Sequence, residues 1–179
     1  MFSKFELIGA GIAIGLMALA LYVGRVDTIL TRAGLPNQAA VAQSGVVVVG
    51  KSADINQART DAYLQAVDDS GNFNRMVVDD IKVGTGRAAA AGDSVLVHYV
   101  GTLQNGQEFD NSRRRGQAFA FTVGAREVIA GWEQGVVGMK VGGQRILVIP
   151  PDLAYGDRAV GSIPADSTLV FSIELLEIK

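Results

Sequence analysis

Hydrophobic and polar positions divide the chain into three stretches of different character. From Leu7 to Gly24 there is no charged residue, and Leu7 to Val23 is almost continuously apolar. As a helix this run would reach about 27 Å, close to the roughly 30 Å of a bilayer's hydrocarbon core. Residues 1–24 are therefore expected to form an N-terminal transmembrane anchor. Lys4 and Ala18-Leu19-Ala20 also fit a signal peptide, whose cleavage would leave a secreted protein. The apolar run continues through Leu21-Tyr22-Val23, longer than a removable signal's core, so a retained single-pass anchor is the expectation. Lys4 before the run is balanced by Arg25 and Arg32 after it, and nothing long precedes it, which favours a domain on the extracytoplasmic side.

Residues 25–75 read as a linker. Leu35-Pro36-Asn37-Gln38 marks a turn, and Gly45-Val46-Val47-Val48-Val49-Gly50 is a short β-prone run. Ile55, Ala58, Ala62 and Ala66, with Leu64 and Val67, predict one weak helix ending before Asp68-Asp69-Ser70-Gly71-Asn72.

Residues 76–179 show the period-two alternation of a compact, mostly antiparallel domain. Strands are predicted over 93–103, 119–123, 144–150 and 167–178, with Asn105-Gly106 as a hairpin turn and Pro150-Pro151 as a stop. Between the second and third of these only residues 126–137 can be helical. The pattern gives an α+β class: a sheet with one short helix across it, which leaves a concave apolar cleft as the natural site.

Composition narrows the chemistry. The 179 residues are 49% hydrophobic, enough for one domain with extra segments, and the net charge of -2 argues against a nucleic-acid partner. Arg113-Arg114-Arg115 is the one local excess of charge, expected to be solvated or ion-paired. There is no cysteine, hence no disulfide, thiolate nucleophile or Cys-based metal site. Paired catalytic carboxylates, a phosphate loop and a metal-ligand set are also missing, so no metal or cofactor is expected. His98, the single histidine, alternates out of phase with Tyr99 and reads as a sheet residue rather than a base. The single tryptophan, Trp132, either fills the core or offers a flat, rigid wall.

Seven groups of residues carry a resemblance. Val97-His98-Tyr99-Val100-Gly101, Gly106-x-x-Phe109-Asp110-Asn111-Ser112, Phe121-x-x-Gly124, Glu127-Val128-Ile129-Ala130-Gly131-Trp132, Met139-x-x-Gly142, Pro151-x-x-Ala154-Tyr155-Gly156 and Ile163-Pro164-x-x-Ser167-Thr168-Leu169-Val170-Phe171 occur in this order. Residues 76–179 thereby resemble the FKBP family, the tacrolimus-binding peptidyl-prolyl cis-trans isomerases. The resemblance implies an antiparallel half-barrel sheet wrapped around the short helix, with Trp132 as the floor of a proline pocket. It implies walls from Tyr99, Phe109, Val128, Ile129, Tyr155 and Phe171, and a rim from Phe119 and Ile163. Asp110 would be the polar group, held by Arg115 and Tyr99. The Ile129 N–H and the Tyr155 hydroxyl would donate to substrate carbonyls. Proline-containing polypeptides are the implied partners, with macrolides of the tacrolimus type as further ligands.

Two departures from the family pattern stand out. Ser162 occupies a position that is apolar in many members, which would loosen the rim and weaken macrolide binding. The stretch from Gly156 to Ile163 is too short for the insertion domain of some relatives.

Such a pocket needs no nucleophile. Rotation about an Xaa-Pro bond must break amide resonance, against a barrier of about 18–20 kcal/mol, and takes tens to hundreds of seconds unaided. The twisted amide has lost its charge separation, so a dry apolar cavity favours it over the planar ground state. The expected function is thus an isomerase assisting protein folding at a membrane. The alternative is a tethered module that binds proline peptides, or acts as a chaperone, with little turnover.

Overall fold

The computed structural model describes residues 45–49 and 55–179. The expected anchor at residues 7–24 lies outside them, and among the described residues no helix is long and apolar enough to cross a membrane.

Seven strands form one sheet: β1 (Val46–Val48), β2 (Met76–Lys82), β3 (Ser94–Leu103), β4 (Glu108–Asn111), β5 (Phe119–Thr122), β6 (Gln144–Ile149) and β7 (Leu169–Ile178). Their order is β1-β2-β6-β7-β3-β4, with β5 also paired to β3. Among the described residues two helices accompany them, α1 (Ile55–Ala66) and α2 (Ala130–Gly135), and a 3₁₀ turn spans Pro151–Leu153. Period-two burial is clearest in β3, where Val95, Val97, Tyr99, Gly101 and Leu103 are buried and the residues between them are half-exposed. The expected hairpin turn joins β3 to β4, with Gly106 at φ 87° and its N–H donating to Leu103 O.

Every pairing is antiparallel except β1 with β2, which is parallel. A parallel neighbour needs a crossover rather than a hairpin, and α1 lies on that connection. The valine run and the weak helix, which the hydropathy pattern leaves in a linker, thus extend the sheet and cover its outer face. Val47, Ala62, Ala66 and Phe73 pack there on Val77, Ile146, Val148 and Val170. Tyr63 meets Phe73 edge-on at 6.3 Å. Burial, reinforced by the nearby Asp79 carboxylate, pushes the Tyr63 hydroxyl up to about 12.

The larger core fills the inner face, between the sheet and α2, around Trp132, Leu147, Ile149, Leu169, Phe171 and Ile173. α2 is shorter than the stretch open to it, because Arg126 has φ 61° and Ile129 is extended at φ −60°, ψ 152°. Gly131 and Gly135 let α2 lie directly on β6: a Cβ would stand 2.5 Å from Ile149 Cγ2 at the first and 2.5 Å from Leu147 Cδ1 at the second. β7 begins at Leu169 rather than Ser167, whose hydroxyl turns back to donate to Pro164 O at 2.8 Å.

Candidate active site

The N-terminal end of α2 and the inner face of β3 and β7 enclose a cavity of about 190 Å³. Trp132, 4% exposed, forms its base, because the helix turns the indole inward over the sheet. Three aromatic rings meet that indole nearly at right angles: Tyr99 at 5.0 Å, Phe171 at 5.2 Å and Phe119 at 6.1 Å. Phe109 stands edge-on to Phe171 at 5.6 Å. Edge-to-face contacts of this kind add about 0.5–1.5 kcal/mol per pair beyond burial and favour this arrangement of the rings. Gly101 makes room for two of them, since a Cβ there would lie 2.7 Å from the Phe109 ring and 2.9 Å from Phe171.

Of the residues expected at the site, the cavity is lined by Tyr99, Phe109, Asp110, Phe119, Val128, Ile129, Trp132, Tyr155 and Phe171. Two do not line it. Ile163 is 6% exposed and packs in the core, with its backbone paired to Val160 in a tight turn. Arg115 stands behind Asp110 rather than on the wall. Glu127, which belongs to the same motif, also lines the cavity. Its position directly before Val128-Ile129 was the available signal.

The charged groups at the cavity and the Tyr99 hydroxyl are engaged with one another or with the backbone. Asp110 accepts from the Tyr99 hydroxyl, from Arg115 Nη1 and, at 2.7 Å, from the Asn111 N–H. Arg115 also donates from Nη2 to the Tyr99 hydroxyl at 2.8 Å, with its guanidinium 5.4 Å from the Tyr99 ring centre. Glu127 accepts the Thr122 N–H at 2.9 Å. Both carboxylates on the wall are thus committed to structure, and neither is placed as a free base. By contrast, three donors of the lining residues have no partner among the described residues: the Ile129 N–H, the hydroxyl of Tyr155, which is 39% exposed, and the Trp132 indole Nε1, which is buried. The arginine run is ion-paired throughout: Arg113 to Glu174, Arg114 to Glu108 and Arg115 to Asp110.

His98 supports the wall from behind. Its Nδ1 lies 3.0 Å from Ser112 Oγ, which accepts the Tyr99 N–H at 2.8 Å and donates to Tyr99 O at 3.2 Å. Because Ser112 gives its own proton to Tyr99 O, His98 Nδ1 is assigned as donor. Burial lowers the His98 pKa and Arg113 lowers it further, partly opposed by Glu174. A histidine depressed in the fold takes its proton more readily when unfolded. Its stability contribution is therefore whole above the unfolded value of about 6.5 and is lost as pH falls through the lower folded value. Replacing His98 with Asn is expected to flatten the decline in urea midpoint below pH 6.5; an equally steep decline in the variant would refute this.

Comparison with known proteins places this architecture. The Neurospora crassa protein "FK506-binding protein 4" is 57% identical over 104 residues, which are 58% of this chain and 22% of that protein. "FK506-binding protein 1" of Dictyostelium discoideum is 51% identical over 100 residues, covering 55% of this chain and 94% of the other. The chain therefore spans about a fifth of the first relative and nearly the whole of the second. The crystal structure of FkpA from Escherichia coli superposes with a TM-score of 0.55 at 47% identity, over 59% of this chain and 48% of FkpA. Residues 85–176, which carry every lining residue of the cavity, match the family model for the FKBP-type peptidyl-prolyl cis-trans isomerase. By that match and the α+β fold with its open sheet and short helix, the chain belongs to the FKBP-type peptidyl-prolyl cis-trans isomerase family.

Proposed function

We propose that this chain isomerises Xaa-Pro bonds in polypeptides, and that residues 1–24 tether it to a membrane with the domain on the extracytoplasmic side. One observation carries the catalytic reading: an aromatic cavity presents unpartnered donors, among them the Ile129 N–H and the Tyr155 hydroxyl, while its carboxylates are already bonded. Proline enters over Trp132, between Phe109, Phe171 and Tyr99. The Ile129 N–H and the Tyr155 hydroxyl take carbonyls of the chain on either side of the rotating bond and hold them while it turns. Asp110, fixed by Arg115, keeps the Tyr99 ring in place. Dry walls favour the twisted amide. A macrolide of the tacrolimus type would occupy the same cavity and compete with substrate. Val128 and Phe119 border the entrance, and Ile163 supports it from the core.

The test is cis–trans exchange of a proline tetrapeptide with the wild type, Trp132→Ala and Phe109→Ala. Each substitution is expected to lower kcat/KM at least about tenfold, equivalent to ~1.4 kcal/mol of transition-state stabilisation. Variants that accelerate exchange as well as the wild type would remove the cavity from the mechanism. The tether rests on the apolar run from Leu7 to Gly24. Protease added to intact cells is expected to digest the domain; digestion only after lysis would reverse the orientation.

A further inference from the structure

β2 carries two consecutive carboxylates, Asp79 and Asp80, and the pleat sends them to opposite faces of the sheet. Each takes one arginine. On the outer face Asp79 accepts Arg59 Nε from α1 at 2.8 Å. On the inner face Asp80 stands opposite Arg145 across the β2–β6 ladder and accepts its Nε at 2.7 Å and its Nη2 at 2.9 Å.

Arg145 is 8% exposed, and its remaining nitrogen is the informative one. Nη1 donates to Gly135 O at 2.7 Å and to Val137 O at 3.1 Å, carbonyls at the C-terminal end of α2. In a helix of six residues nearly every late carbonyl lacks an intrahelical partner, and a cation at that end is favourable. Gly131 and Gly135 of α2 lie against Ile149 and Leu147 of β6, which are apolar contacts. Apolar contact is non-directional. The two bonds from Arg145 are directional, and Asp80 fixes the fork that makes them.

We infer that Arg145, held by Asp80, is a positioning residue for the proline site, setting where α2 stands along β6 and hence where Trp132 and the Ile129 N–H lie. The inference rests on the function proposed above, since it concerns the same cavity. It goes beyond a helix-end contact: a shift of α2 moves the floor of the cavity and the Ile129 N–H together.

Full-length Arg145→Met, Arg145→Lys, Asp80→Asn and, as control, Arg59→Met would be compared with the wild type below their urea transitions. Two quantities are read: kcat/KM on the proline tetrapeptide and the emission maximum of Trp132, the chain's single tryptophan. Arg145→Met and Asp80→Asn are expected to lower kcat/KM roughly tenfold or more and to shift Trp132 emission. Arg145→Lys should recover part of both, while Arg59→Met should lower only the urea midpoint. Loss of stability at position 145 with kcat/KM and emission unmoved would overturn the inference. If Arg145→Met does not fold, Arg145→Lys and Asp80→Asn decide it alone. A wild type that fails to catalyse would refute the proposed function instead; peptide Kd and Trp132 emission would then still decide the role of Arg145.

Discussion

Deleting residues 1–75 is expected to lower the unfolding free energy by at least about 3 kcal/mol, although it leaves the family match and the whole cavity in place. The deletion uncovers Val77, Ile146, Val148 and Val170, at 0%, 2%, 0% and 5% exposure, and removes Val47, Ala62, Ala66 and Phe73 from above them. Exposing one such side chain completely costs about 1.5–3 kcal/mol, so four set a ceiling of roughly 6–12. The net figure is smaller, because the uncovered strands keep their inner contacts and ordering the deleted segment has its own entropic cost. Strand β2 would also lose its partner β1 and become the edge of the sheet. Urea unfolding of the two chains measures the difference, with a lower slope expected for the shorter one as well as a lower midpoint. Equal midpoints would mean that α1 and β1 only rest on the domain.

Gly101→Ala is expected to cost more in catalysis than in stability. The new methyl would stand 2.7 Å from Phe109 and 2.9 Å from Phe171. Phe171 is 5% exposed and wedged against Trp132, so Phe109, which is only half-buried, must yield. Its ring can move only by narrowing or tilting one wall of a cavity of about 190 Å³. Overpacking of this kind costs about 1–3 kcal/mol of stability, whereas a displacement near 1 Å at a site can cost on the order of a hundredfold in rate. Gly92→Ala is the comparison. Gly92 has φ 90° with open space around it, so alanine strains the backbone without touching a ring. If both substitutions lower stability and neither changes kcat/KM, Gly101 has no part in shaping the site.

How far the sequence reveals this molecule depends on the range of the interaction involved. The strands of the inner core were legible because alternation is local: β3, β5 and β6 lie within a residue of where the pattern puts them. The aromatic cavity was legible through the family resemblance, whose motifs name most of its lining. What stayed hidden depends on contacts between distant segments. Nothing in Val46-Val47-Val48 shows that it pairs with β2, and α1 seats itself through two alanines, too small to form a marked apolar stripe. A motif gives order and spacing, whereas the Val160–Ile163 bridge that holds Ile163 beside the core depends on the fold around it. Arg145 left one trace that could have been read: a charge at an inward position of the otherwise apolar strand Arg145-Ile146-Leu147-Val148-Ile149 needs a buried partner.

The place of β7 in the sheet has a consequence for biosynthesis. Residues 169–178 form a central strand, paired along one side with β6 and along the other with the far earlier β3. During translation β3, β5 and α2 are therefore made well before the strand that joins them to β6 exists. The β2–β6 pair and the β3–β4–β5 group remain unjoined until residues 169–178 are free to insert between β6 and β3. An enzyme proposed to relieve slow steps in other chains would itself be unable to act, or to shelter its own core, until its last strand had arrived.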